Sequence, residues 1–130
     1  MTATGIRELC LVVVPVTDQD RSIDFYVGSL GLEKRTDVAF GDDMRWVEVY
    51  APVGSTGIAL APPPGGTVTP QITGITLASN DIDVTHGELQ SRGVDVDPEV
   101  TRYGGPVPPM FWLRDPDGHS LMVVEPLPED

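Results

Sequence analysis

Apolar and polar positions alternate along much of this chain. Between Met44 and Ala51, Met44, Trp46, Glu48 and Tyr50 fall on one side, and Arg45, Val47 and Val49 on the other. That period of two predicts a β-strand. Similar runs predict strands at 9–16, 33–40, 57–61, 94–103, 110–113 and 120–125. Two stretches change period. Ile23, Tyr26, Val27 and Leu30 recur at intervals of three and four, as do Ile82 and Leu89 more sparsely. Each predicts an amphipathic helix with one buried stripe.

These elements repeat. LVVVPVTDQDRSIDFYVGSLGL (11–32) overlays GITLASNDIDVTHGELQSRGV (74–94), with Asp18 on Asp81, Asp20 on Asp83, Ser22 on Thr85 and Gly31 near Gly93. A β-rich run meets a polar helix start, and the helix ends at a glycine suited to a left-handed backbone. Thr17-x-x-Asp20 and Asn80-x-x-Asp83 resemble capping boxes, with Asp in place of Glu or Gln. A Pro/Gly-rich linker at 61–71 separates the halves. Each half therefore reads β-α-β-β-β, and the fold class is α+β, with two similar curved sheets in one domain (1–130; modules about 6–62 and 72–127).

The sharpest turn signal is Asp115-Pro116-Asp117-Gly118, inside MFWLRDPDGHSLMVVEP (110–126). Pro116 presets φ, Asp115 can bond its own backbone and Gly118 tolerates positive φ, so a tight hairpin is expected. Arg114 and Asp115 are read as fixing that hairpin.

Charge narrows the function classes. The 20 acidic and 8 basic residues give a net charge of −12, and Lys34 is the lone lysine among scattered arginines. Such a surface repels phosphate backbones and anionic membranes, so nucleic acid and membrane are not expected partners. The apolar run at 9–16 lacks a basic lead and a cleavage site and reads as a strand, not a signal peptide. A single cysteine, Cys10, excludes an internal disulfide and fits a reducing, cytoplasmic setting. It is expected to be a small buried thiol in the first strand.

The tandem βαβββ pattern, TDQDRSIDFYVGSLGL after the first strand and RDPDGHSLMVV near the end together resemble the vicinal oxygen chelate superfamily. That group includes glyoxalase I, bleomycin-resistance proteins, fosfomycin-resistance enzymes and extradiol dioxygenases. The resemblance runs from about residue 6 to 127. It implies mixed sheets curving around a cavity, and in metal-using members a ligand set of His, Glu or Gln at four strand positions. Those positions correspond here to Leu11, Ala59, Gly74 and Met122. None can hold a hard cation, so no metal and no cofactor are expected. The resemblance then points to metal-free members that use the cavity for an organic molecule, and to a homodimer with clefts near the subunit boundary.

Individual residues fill in this expectation. Trp46, Tyr50, Tyr103, Met110, Trp112 and Met122 are candidate ligand-binding walls, because aromatic and thioether side chains make adaptable apolar contacts; core packing is the alternative for each. Glu48 is the candidate acid–base group. If the Trp46 face lines the cavity, Glu48 is a carboxylate in an apolar pocket; if not, Val47 and Val49 pack the core and Glu48 is exposed. His86, on a helix face with Asp83 and Gln90, reads as a solvated surface histidine. His119 reads as a polar residue at a hairpin tip. The segment TRYGGPVPPM (101–110) reads as a loop edging a site, either a lid or a rigid turn.

The function expected is metal-free binding of a hydrophobic or aromatic small molecule, such as sequestration of an antibiotic or other metabolite. The alternatives are a glyoxalase-like lyase or isomerase, and a metal-independent biosynthetic enzyme using Glu48.

Overall fold

A computed structural model describes residues 4–42 and 44–128; the ends of the domain expected over 1–130 lie outside them. The chain folds as two βαβββ units. The first contains β1 (Leu11–Pro15), α1 (Gln19–Ile23), β2 (Glu33–Ala39), β3 (Arg45–Tyr50) and β4 (Gly57–Ala61). The second contains β5 (Ile72–Ala78), α2 (Ile82–Ser91), β6 (Asp95–Val96), β7 (Met110–Arg114) and β8 (Ser120–Val124). Each unit forms a four-stranded mixed sheet, in the orders β1-β4-β3-β2 and β5-β8-β7-β6. β1 runs parallel to β4, and β5 parallel to β8. Pro15, which has no N–H to give, sits in the edge strand β1 where none is required.

Both helices start one residue later than the capping boxes suggest. Asp18 and Asp81, not Thr17 and Asn80, are the N-caps, accepting from the N–H groups of Arg21 and Val84. A carboxylate in extended backbone ahead of the first turn satisfies an orphan donor and opposes the positive end of the helix dipole. After α1 the chain widens into a π-helical stretch, Asp24–Ser29, where Leu30 N bonds back to Phe25 O. Gly31 and Gly93 close the helical segments at φ 82° and 79°, in the left-handed region as expected.

The strand expected at 94–103 is the largest correction. Only Asp95–Val96 joins the sheet, with an isolated bridge from Thr101 to Met110. Pro98 cannot donate to a ladder, and the Asp97 carboxylate accepts instead from Trp112 N and Arg114 Nη2.

One continuous core joins the units. Val14, Val47, Val49, Leu60 and Tyr26 from the first pack in the same cluster as Ile82, Leu89, Phe111, Leu113 and Leu121 from the second. Across the join, Thr17 N donates to the Asp117 carboxylate, Tyr26 Oη to Asp115, and Arg92 Nη1 to the carbonyl of Ser29.

His119 is part of this join and is not at an exposed tip. It is fully buried; Nδ1 accepts from Gln71 N at 3.1 Å, which places its proton on Nε2, and Nε2 donates to Pro15 O at 2.8 Å. His86 is likewise half-buried rather than solvated, edge-on to Phe111 and donating Nε2–H to Asp97 O at 2.7 Å. Helical spacing placed it beside polar neighbours but could not reveal that β6 and β7 pack over that position. Cys10 is exposed just ahead of β1, not buried within it.

Candidate functional site

The register decides the two readings of β3. Val47 and Val49 are fully buried in the core, so Trp46, Glu48 and Tyr50 lie half-buried on the sheet face turned away from it. Across the sheet, Glu48 pairs with Thr36 on β2 and Ala59 on β4, and Ala59 pairs with Val13 on β1. Residues two apart on one strand sit side by side. Here that adjacency becomes a hydrogen-bonded triad: Trp46 Nε1 donates to Glu48 Oε2 at 2.6 Å, and Tyr50 Oη donates to Glu48 Oε1 at 2.6 Å. The bond to Glu48 holds the Tyr50 hydroxyl above its ordinary titration range, because losing the proton would set two anions against each other.

Small and cationic neighbours hold the Tyr50 ring. It lies over Gly57, where an added Cβ would meet ring carbons at 2.6 Å, and the Arg35 guanidinium stands 4.8 Å from the ring centre. Arg35 is itself paired with Glu33 at 2.9 Å. On the other side of the same sheet, Arg45 binds Asp37 and Asp20; its hydrogen bonds, with one from Lys34, hold the Asp37 carboxyl well below the usual carboxylate range.

A second aromatic face belongs to the other sheet. Trp112 on β7 pairs with Met122 on β8, which pairs with Thr76 on β5; Met110 lies beyond, opposite Val124. Phe111, Leu113, Leu121 and Val123 fill the core on the opposite side. Trp46 and Tyr50 are thus together on one open face, and Met110, Trp112 and Met122 together on another. Among the described residues no hydrogen bond or aromatic contact links the two groups. Tyr103 joins neither: it projects, 74% exposed, from the connection closed by the Thr101–Met110 bridge.

Where the units meet lies a cleft of about 670 Å³. Val12, Val49 and Ile58 wall it on one side and Ile75 and Leu77 on the other, with Thr56, Thr76 and Asn80 as polar lining and no aromatic or charged side chain. It can hold apolar matter but offers no acid or base. Sequence reasoning missed it, because its lining residues carry the same pattern as the packed core, and only tertiary placement turns that pattern into a gap.

The family model described as Glyoxalase/Bleomycin resistance protein/Dioxygenase superfamily matches residues 9–123. The chain belongs to that superfamily. Its solved relatives include TnmS3, an antibiotic binding protein from Streptomyces sp. CB03234, at 29% identity and TM-score 0.81 over 96% of this chain and 100% of that one. A superfamily member from Sphaerobacter thermophilus DSM 20745 is 32% identical, with TM-score 0.84 over 92% and 98%. A glyoxalase/bleomycin resistance protein from Streptomyces sp. CB03234 is 30% identical, with TM-score 0.72 over 91% and 100%. Among curated proteins none matches.

Some members of the superfamily hold a metal ion, and the donor set here does not fit one. Ala59 lies on the Glu48 face of β4, covered and opposite Val13, and Met122 on the Trp112 face of β8, opposite Thr76. Leu11 instead pairs with Gly57, and Gly74 sits in a register shift of β5 at φ 75°. Methyl groups, a bare glycine and a thioether offer a hard divalent ion no anionic oxygen or imidazole. Among the described residues no three His, Cys, Asp or Glu side chains are grouped to hold an ion. No helix among them is long and apolar enough to cross a membrane.

Proposed function

We propose that this superfamily member binds a hydrophobic or aromatic small molecule without a metal ion, in the cytoplasm, as a homodimer whose copies complete the ligand cavity. The observation that carries this reading is the position of five large side chains. Trp46, Tyr50, Met110, Trp112 and Met122 all stand on sheet faces turned away from the core, half-buried, on two groups of strands. Half-buried aromatic and thioether side chains on faces that the core does not use are what a binding wall consists of. In the proposed dimer one chain's Trp46 face meets the other's Trp112 face; within one chain no hydrogen bond or aromatic contact links them among the described residues. The similarity to a relative described as an antibiotic binding protein supports sequestration.

The test is calorimetric binding of polycyclic aromatic compounds, combined with sedimentation to give the oligomeric state. Trp46→Ala and Trp112→Ala should each abolish binding while leaving the thermal melt in place. A monomer that binds as well as any dimer, or binding untouched by both substitutions, would overturn the reading.

The Glu48 triad supports one other reading. A carboxylate hydrogen-bonded to a phenol can pass a proton to or from a bound substrate, which is metal-free acid–base chemistry. Turnover lost in Glu48→Gln with binding retained would favour the enzyme over sequestration.

A further inference from the structure

We infer that the Trp46–Glu48–Tyr50 face selects ligands carrying a positively charged nitrogen, seated on the Glu48 carboxylate between the two aromatic side chains. This rests on the open-face reading above and adds the charge of the ligand to it.

The first argument is the state of Glu48. Its oxygens each accept one hydrogen bond, from the Trp46 indole and the Tyr50 hydroxyl. A carboxylate has about four acceptor positions, so roughly two stay open. Both donors are neutral; they fix the carboxylate in place without cancelling its charge.

The second argument is where the nearby cations go. Among the described residues, Arg45 is committed to Asp37 and Asp20, Lys34 to Asp37, and Arg35 to Glu33 and the Ala51 carbonyl. Glu48 takes part in no ion pair among them. A half-buried charge without a countercharge is costly, and the cost rises when a ligand displaces water from the face. A cationic ligand removes that cost, and a neutral or anionic one raises it.

The third argument is the setting. The Trp46 ring presents a negative face that attracts ammonium and iminium groups, while the Tyr50 ring already carries Arg35 and contributes its hydroxyl. Ala59, fully buried directly across from Glu48, keeps that side of the carboxylate small. The net charge of −12 draws cations toward the protein and repels anions.

The test uses three probes at pH 7.5: N-methylquinolinium, neutral quinoline and anionic 2-naphthoate, followed by calorimetry and by the indole N–H signal of Trp46 in proton–nitrogen spectra. The expected order is N-methylquinolinium about tenfold tighter than quinoline, with 2-naphthoate weakest. The cation should also shift the Trp46 signal. Glu48→Gln should bring N-methylquinolinium to within about twofold of quinoline measured on the same variant. In the unmodified protein, raising the salt concentration should narrow the preference, a readout that does not depend on the variant folding. Equal binding of cation and neutral probe, or a preference indifferent to salt, overturns this inference and leaves the aromatic-ligand reading standing. No binding of any probe at millimolar concentration overturns both.

Discussion

Tyr26 donates its hydroxyl to Asp115 at 2.8 Å, joining the helical segment of the first unit to the last hairpin of the second. Both residues are buried. The other oxygen of Asp115 accepts from the N–H groups of Asp117 and His119, which shapes the turn that Pro116 and Gly118 make possible. One carboxylate therefore folds the hairpin and fastens it to the neighbouring unit. Tyr26→Phe keeps the ring packing and removes only the bond, leaving a buried carboxylate short of a donor. Urea unfolding should show a loss of about 1.5–3 kcal/mol, the range for hydrogen bonds to charged groups.

The same pair predicts a fall in stability at alkaline pH. Burial, reinforced by the Asp115 charge, pushes the Tyr26 hydroxyl far above its ordinary value of 10.0. The folded state keeps its proton where the unfolded state releases it. This contribution is fully present below pH 10.0 and is lost as pH rises beyond it toward the folded value. Tyr50 is shifted in the same direction. Unfolding curves between about pH 9 and 12 should fall for the unmodified protein and be flatter for Tyr26→Phe. Equal slopes would mean that Tyr26 does not titrate differently on folding.

His119 is the other fastening. Its ring, in the second unit, satisfies Gln71 N at the end of the linker and Pro15 O of the first unit at once. His119→Ala removes a fully buried ring and leaves Gln71 N and Pro15 O, both only partly buried, to bond water, so the net loss is about 1–2 kcal/mol in hydrogen bonding, with the vacated ring volume added to it. The thermal melt should drop accordingly, and amide exchange at Gln71 should accelerate more than at residues within either sheet.

These joints explain how far the sequence could be read. Apart from 94–103, alternation located the strands to within a residue or two because each sheet buries one face, and Val47 and Val49 against Trp46 and Glu48 is that contrast in its plainest form. It could not say which face was core, since valines and an aromatic–acid set both suit a half-buried surface. The repeat predicted paired βαβββ units but not their docking, so His119 and His86 read as surface residues. The 94–103 stretch is apolar enough for a strand, yet Asp97 and Pro98 withdraw it from the ladder. Of the site, the shared face of Trp46, Glu48 and Tyr50 was legible from spacing. The bonds among them depend on rotamers, and the separation of the Trp46 and Trp112 faces depends on how the units pack.

The donor set predicts a simple result with metals. Purified protein dialysed against zinc, nickel or manganese should retain no stoichiometric ion by elemental analysis, and its melting temperature should not rise on their addition. Retention of one ion by the unmodified protein would mean that other residues form the site.

Gly57 links the sheet to the triad, and a single methyl group tests it. Its backbone is not in the left-handed region, so alanine is conformationally permitted there. The obstacle is the Tyr50 ring, whose carbons lie 2.6 Å from where the new Cβ must go. Real contacts do not come that close, and β4 is held between β1 and β3, so the ring is what moves. Swinging it outward breaks the bond from Tyr50 Oη to Glu48 and uncovers one carboxylate oxygen. Gly57→Ala should therefore fold with a modestly lower melt and lose the alkaline displacement of one tyrosine in an ultraviolet titration, returning Tyr50 toward 10.0. The hydrogen bond to Glu48 is the largest cause of that displacement, so the titration reads the triad directly. Aromatic ligands should bind more weakly, because half of the wall beside Glu48 has left its place. An unchanged titration would show that Tyr50 keeps its bond and that β4, not the ring, gives way.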